Sequence, residues 1–238
     1  MRWKPIIQYA LIISLGIFGC GDDDNNPADS DPVVLEGEFD VSSQEDLNGP
    51  STIAVKESGI MGSLGISETP FTTLAGLEGL TFVSEDFAIS FNEDLTSLGG
   101  LESLTSVGGR LTISDNPSLT SLSGLEGLTS IDGCLEINGN NSLVNLEGLT
   151  SLTSVRGSLS VARHDDLLSL SGLGRLTSVG LMYINRNASL ASLEGLERLT
   201  SAGLLAIEDN PLLPTAAVEA LAERVTIEEV SLPDCVDD

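Results

Sequence analysis

Residues 95–118 read LTSLGGLESLTSVGGRLTISDNPS, and this string returns with small changes before and after itself. The residue at its Asn116 position recurs as Thr69, Asn92, Asn140, His164, Asn187 and Asn210, at intervals of 23 or 24 residues, which makes seven coils. A fixed period of this length marks a solenoid, in which each repeat stacks only on its neighbours. Within the unit the apolar residues Leu95, Leu98, Leu101, Leu104, Val107, Leu111 and Ile113 come too regularly in threes for an α-helix and are interrupted by glycine. Short strands joined by tight corners fit the pattern better.

Leu111 and Ile113 flank Thr112 as alternate residues of a half-buried strand should. Phe87 and Ile89, Leu135 and Ile137, Leu159 and Val161, Met182 and Ile184, and Leu205 and Ile207 repeat the arrangement. Stacked, they predict a parallel sheet. Gly76, Gly100, Gly124, Gly148, Gly172 and Gly195 hold one position in six consecutive coils, where a corner requires positive φ or close backbone approach. The column Asn92, Asn116, Asn140, Asn187 and Asn210 reads as an inward ladder whose amides satisfy backbone groups freed at a bend. The fold class is therefore mainly β, a right-handed leucine-rich-repeat or β-helix-like solenoid of about seven coils with a C-terminal capping helix.

The run G-L-E-x-L-T-S-V-G-G-x-L-x-I-x-x-N-x-x-L resembles the leucine-rich repeats of receptor L domains, the right-handed solenoids that form ligand-binding lobes in insulin and epidermal growth factor receptors, and their bacterial secreted relatives. The resemblance covers residues 41–232 and rests on repetition, since a single L-x-I-x-x-N is weak. It implies a binding or adhesive scaffold. Such relatives often pair a cysteine in the C-terminal helix with one in the tail, but here the helix carries Ala216 and Cys235 loses that partner.

The chain divides into residues 1–19 as a signal peptide, 20–38 as an acidic tether, 39–232 as the capped solenoid and 233–238 as a tail. Arg2 and Lys4 precede a mostly apolar stretch over residues 6–18, which ends Ile17-Phe18-Gly19-Cys20. This resembles a bacterial lipoprotein signal, whose cysteine becomes the lipidated first residue. Cys20 is thus the expected attachment to a membrane, and the cell envelope the expected location. Gly21 after Cys20, rather than Asp, leans towards the outer membrane by resemblance to enteric sorting rules. The segment GDDDNNPADSDPVVLEGE over residues 21–38 reads as a solvated tether. Asp22, Asp24 and Asn26 do not make a calcium loop, because Pro27 stands where the loop needs glycine and Val33 where it needs a closing glutamate. Beyond it, residues 39–55 read as an N-terminal cap, with Ser43 and Asp46 at capping-box spacing. At the far end Pro214 and Thr215 open a helix with Val218, Leu221, Ala222 and Val225 on one face. A closing strand is expected after it.

With 36 acidic and 10 basic residues the chain carries a net charge of −26, which disfavours nucleic acid as a partner. Beyond Cys20 there are only Cys134, in the fourth coil, and Cys235, past the seventh. About three strand spacings of ~4.8 Å separate those coils, while a disulfide needs Cα atoms within roughly 7 Å. No bond between them is expected unless the tail folds back. His164 is the only histidine, so no histidine-based metal cluster and no Ser/His/Asp set can be built. It reads as a substituted member of the asparagine ladder.

Two other columns weigh on function. Glu78, Glu102, Glu126 and Glu197 raise a β-helical polysaccharide-active enzyme, but catalysis needs two carboxylates in different environments, and a repeated glutamate offers one. Thr81, Thr105, Thr129, Thr153, Thr177 and Thr200 raise ice binding, against the plainer reading of a threonine ladder between strands. The variable outward strand positions point to a ligand face instead. There Tyr183 with Arg163 and Arg186 forms the aromatic and basic cluster of an acidic array, with Arg110 and Glu136 on the same face, and aromatic and Arg side chains are common interface anchors. The reading is a lipid-anchored, monomeric, non-catalytic module without cofactor or metal that recognises a protein or glycan. A purely structural envelope protein is the alternative.

Overall fold

A computed structural model of the chain describes residues 34–43 and 58–228, all within one compact unit, Pro32–Asp238. The signal peptide, Cys20, most of the tether and Cys235 lie outside the described residues. Among the described residues fourteen strands, all paired in parallel, form the solenoid. They are β1 (Val34–Glu36), β2 (Phe39–Val41), β3 (Ser58–Met61), β4 (Leu64–Ser67), β5 (Leu80–Val83), β6 (Phe87–Ser90), β7 (Ser106–Val107), β8 (Leu111–Ser114), β9 (Ser130–Ile131), β10 (Leu135–Asn138), β11 (Ser154–Ala162), β12 (Ser178–Asn185), β13 (Ser201–Glu208) and β14 (Thr226–Ile227). Among the described residues one α-helix, α1 (Thr215–Arg224), follows β13.

The strand anticipated over Leu111 to Ile113 and its counterparts is present in every coil, and a second column adds to it. A first ladder runs β1, β3, β5, β7, β9 and a second runs β2, β4, β6, β8, β10. In the last three coils the two strands of a turn merge into the bent strands β11, β12 and β13, with an irregularity between Val155 and Ser158. The bend carries Gly133, Gly157 and Gly180 in successive coils. A Cβ on Gly133 would lie 2.3 Å from the Gly109 carbonyl oxygen, so only glycine fits there. By composition Val34–Glu36 belongs to the tether, yet it forms β1 and pairs with β3. The exposed backbone edge of β3 gains its hydrogen bonds from those residues, so they belong to the solenoid.

Inside, the columns read from sequence pack coil on coil. Leu95, Leu98, Leu101, Leu104, Leu111 and Ile113 are fully buried, as are their equivalents in the fourth and fifth coils. One coil alone could not bury this surface, and stacking removes it from water on both sides. Five of the six corner glycines hold φ between 105° and 116°. The sixth, Gly148, sits instead in a short 3-10 turn, Glu147–Leu149. Its missing side chain is still required, because a Cβ would fall 1.9 Å from the Leu122 carbonyl oxygen.

Asparagine side chains bind the coils together, Asn92, Asn116, Asn140 and Asn187 at full burial and Asn210 half-buried. Asn116 Oδ1 accepts from Asn92 N and Nδ2, both at 3.0 Å, while its Nδ2 donates to the Ile89 carbonyl at 3.0 Å. Asn140 repeats the pattern in the next coil and Asn210 in the seventh. The buried backbone groups of the bend are thereby paired without water. Threonine hydroxyls supply a second set of ties. Thr105, Thr129, Thr153, Thr177 and Thr200 each donate to the carbonyl of the preceding threonine, at 2.9–3.3 Å.

At the C-terminal end α1 places Leu221 and Val225 in the core and Val218 half-buried. Ala222, expected on that face, is exposed; around the helix it lies just beyond Val218 on the side away from Leu221, past the edge of the buried stripe. Arg224 holds the helix down by donating to the carbonyls of Leu196, Glu197 and Leu199. After it β14 pairs with β13. Cys134 is disulfide-bonded, and the chain's other cysteines, Cys20 and Cys235, lie outside the described residues.

Candidate functional site

Every residue that faces inward is much the same from coil to coil, and the outward strand residues are not. In register across the second column stand Gly65, Ala88, Thr112, Glu136, Ser160, Tyr183 and Ala206. All are half-exposed. The side-chain period of two that buries Met182 and Ile184 turns Tyr183 to the opposite side. Its neighbours across the ladder, Ser160 and Ala206, are small, so the phenol ring stands above the face with room on both sides.

Immediately before each ladder residue the chain turns through a left-handed conformation. Glu68, Phe91, Asp115, Arg163, Arg186 and Asp209 all have φ between 54° and 60°, and Gly139 has φ 67°. Bulky residues adopt this region at a cost of about 1–2 kcal/mol each, and the ladder geometry imposes it. The corners project Arg163 and Arg186 into solvent in neighbouring coils, next to the strand end that carries Tyr183. Arg186 Nε lies 3.7 Å from Asp209 Oδ2, with both side chains more than 60% exposed. Water screens such a pair, so it restrains Arg186 little.

Arg110 and Glu136 belong to a different place. They pair with each other, Nε to Oε1 at 3.4 Å, at the start of the strands in the third and fourth coils. The Arg110 N–H also donates to Asp86 Oδ1 at 2.7 Å. From there to the Arg163 corner is about two strand spacings across and a four-residue strand along, on the order of 15 Å. The five anticipated residues thus separate into a Tyr183, Arg163 and Arg186 group and an Arg110–Glu136 ion pair.

Sequence reading passed over Phe91. It is 57% exposed on the corner of the second coil, where an acidic groove of about 520 Å³ is lined by Glu68, Thr69, Pro70, Phe91, Glu93 and Asp94. Its position directly before Asn92, matching Arg163 and Arg186, was the available signal.

The remaining columns serve the backbone. Glu78, Glu102, Glu126 and Glu197 accept hydrogen bonds from the N–H groups of Gly76, Gly100, Gly124 and Gly195 at 2.8–3.1 Å. Each carboxylate closes its own corner, which accounts for the repetition without a substrate. The threonine hydroxyl protons likewise go to carbonyls rather than outward. His164 is fully buried, with Nδ1 3.0 Å from the Asn140 carbonyl oxygen and Nε2 2.9 Å from that of Ile137. Burial holds its pKa below the usual 6.5, against the pull of the two carbonyls and of Asp165.

Among the described residues no helix is long and apolar enough to cross a membrane. No curated protein matches the chain, and neither does any solved structure. The Receptor L domain model matches residues 105–224, which is half of the chain and runs from the threonine of the third coil to the end of α1. With the stacked coils, the parallel strand face and the capping helix, that match places the chain in the Receptor L domain family, whose members are ligand-binding modules of extracellular type.

Proposed function

We propose that this protein is a lipid-anchored, extracytoplasmic binding module that recognises a protein or glycan through the strand face of its fifth and sixth coils, without catalysing a reaction. The supporting observation is the contrast between columns. Inward positions, corner glycines, glutamates, threonines and asparagines repeat because the fold uses them, whereas the outward strand and corner residues change from coil to coil. On that variable surface Tyr183 offers a flat apolar ring between small neighbours, with the cations Arg163 and Arg186 at its edge. A rigid ring loses little conformational freedom on binding, and guanidinium groups meet carboxylates or sugar hydroxyls with several donors at once. The anchor in this reading rests on the lipoprotein-like sequence that ends at Cys20.

Arrays of glycans and envelope proteins probed with the purified protein provide the test. A captured ligand should lose about tenfold or more in affinity when Tyr183→Ala is combined with Arg186→Ala, while circular dichroism stays unchanged. An unchanged affinity refutes the site, and arrays without any capture favour a structural envelope role. The anchor is tested separately: Cys20→Ser should move the protein from the membrane fraction to the soluble one.

A further inference from the structure

Turned end for end, the strand face is complementary to itself. Among the described residues its second column has eight rows, from Asp40, which pairs with Gly65, to Ala206. A two-fold axis along the strands, midway between Thr112 and Glu136, sets the first row of one copy opposite the eighth of another, the second opposite the seventh, and so inwards. Each larger side chain then meets a small one. Tyr183 faces Gly65, Glu136 faces Thr112 and Asp40 faces Ala206. The Asp40 carboxylate lies over Gly65, with Oδ1 2.5 Å from a Cβ built there, where it accepts a hydrogen bond from the incoming phenol O–H.

The left-handed corners follow the same pairing. Arg186 comes opposite Glu68, Arg163 opposite the exposed ring of Phe91, and Asp115 opposite Gly139. A guanidinium over an aromatic face is attractive, so the exposed Phe91 gains a partner. At the axis the Arg110–Glu136 pairs of the two copies lie against each other with their signs alternating. Other arrangements lose this match. A shift of one row brings Glu136 against Glu136 or Asp115 against Asp115, and solenoids running the same way set each row against its own copy. Like charges so placed weaken a contact.

Seven row spacings of ~4.8 Å by a strand of about 13 Å give roughly 450 Å² in each copy. The corner side chains bring the total to about 1,000 Å², where specific interfaces begin. The chain carries −26, but charges farther apart than about 8 Å are screened at physiological ionic strength, while the facing pairs are in contact. We propose that the strand face binds a second copy of this chain, as an antiparallel two-fold dimer with Tyr183 seated over Gly65 and Arg186 against Glu68. The inference rests on the strand face being a binding face and names its partner, in place of the monomer expected from the sequence. A two-fold contact makes each pairing twice, so modest pairs sum to a weak, reversible dimer.

Sedimentation equilibrium of the mature protein in density-matched detergent, from about 1 to about 300 µM, is the test. A reversible dimer with a Kd of about 10–100 µM is expected, about tenfold weaker for Tyr183→Ala. Arg186→Glu should weaken it at least about tenfold, and adding Glu68→Arg should restore the wild-type value to within about threefold. Glu68 and Arg186 have φ 54° and 56°, so the exchange puts each residue in a corner conformation that the fold already gives the other. A monomer at every concentration, a dimer indifferent to Tyr183→Ala, or a reversed pair that stays apart overturns the proposal. Capture of an array ligand by a protein that stays monomeric would leave the binding face in place and remove only the second copy as its partner.

Discussion

Truncation of Asn116 to alanine measures what the buried ladder contributes. Asn116 is fully buried, its Oδ1 accepts two hydrogen bonds from Asn92, and its Nδ2 donates to the Ile89 carbonyl and to Asn140 Oδ1. Asn140 Oδ1 keeps the Asn116 N–H after truncation, and Asn92 Nδ2 keeps the carbonyls of Ile66 and Ser90. The Asn92 N–H and the Ile89 carbonyl lose this partner inside a dry core. At about 1–3 kcal/mol for each orphaned buried group, with a further contribution from the void, the cost comes to about 3–5 kcal/mol. That is a large part of the stability of an ordinary domain. Urea unfolding followed by far-ultraviolet circular dichroism gives the number, with Ser97→Ala as a surface control expected within ~0.5 kcal/mol. A cost below about 1 kcal/mol would refute the reasoning, since it would mean that water or backbone movement replaces the amide.

Two further substitutions follow from the same geometry. His164→Asn should restore the acceptor that Asn140 lacks where the imidazole stands, raising stability by about 1–2 kcal/mol near neutral pH. Because burial holds the folded His164 below 6.5, the unfolded chain takes up the proton first as pH falls, so wild type loses stability below about pH 6.5 by up to about 1.4 kcal/mol per pH unit relative to the variant. Thermal or urea unfolding of both proteins from pH 7.5 to 5.5 checks the sign. Gly100→Ala puts a Cβ 2.1 Å from the Leu74 carbonyl oxygen at φ 114° and should cost roughly 3 kcal/mol or more, whereas Gly174→Ala, with open space around it, should be neutral in the same unfolding assay.

The ladder and the corner glycine were both legible in the string at residues 95–118. A solenoid places each residue beside its own copies, so a position that repeats must satisfy a neighbour identical to itself, and its role can be read from residue type alone. Asparagine pairs with asparagine, leucine with leucine, and a glycine corner lies under the corner before it. The ends and the outward face escape that rule. Val34–Glu36 looks like tether by composition, and only the unpaired edge of β3 makes it a strand. Arg110 and Arg163 look alike in sequence, but the register gives Arg110 to Glu136 and leaves Arg163 on an exposed corner. Left-handed conformations at Phe91 and Arg186 were hidden as well, since neither residue type favours them.

By itself, then, the sequence determined the period, the inward columns, the parallel stacking and the capping helix, because these depend on local alternation and on identical neighbours. Tertiary structure decided the two-column bend, the composition of the candidate face and the burial and disulfide of Cys134. Each of those depends on contacts between residues that differ and that lie far apart in the chain, and repetition carries no information about them.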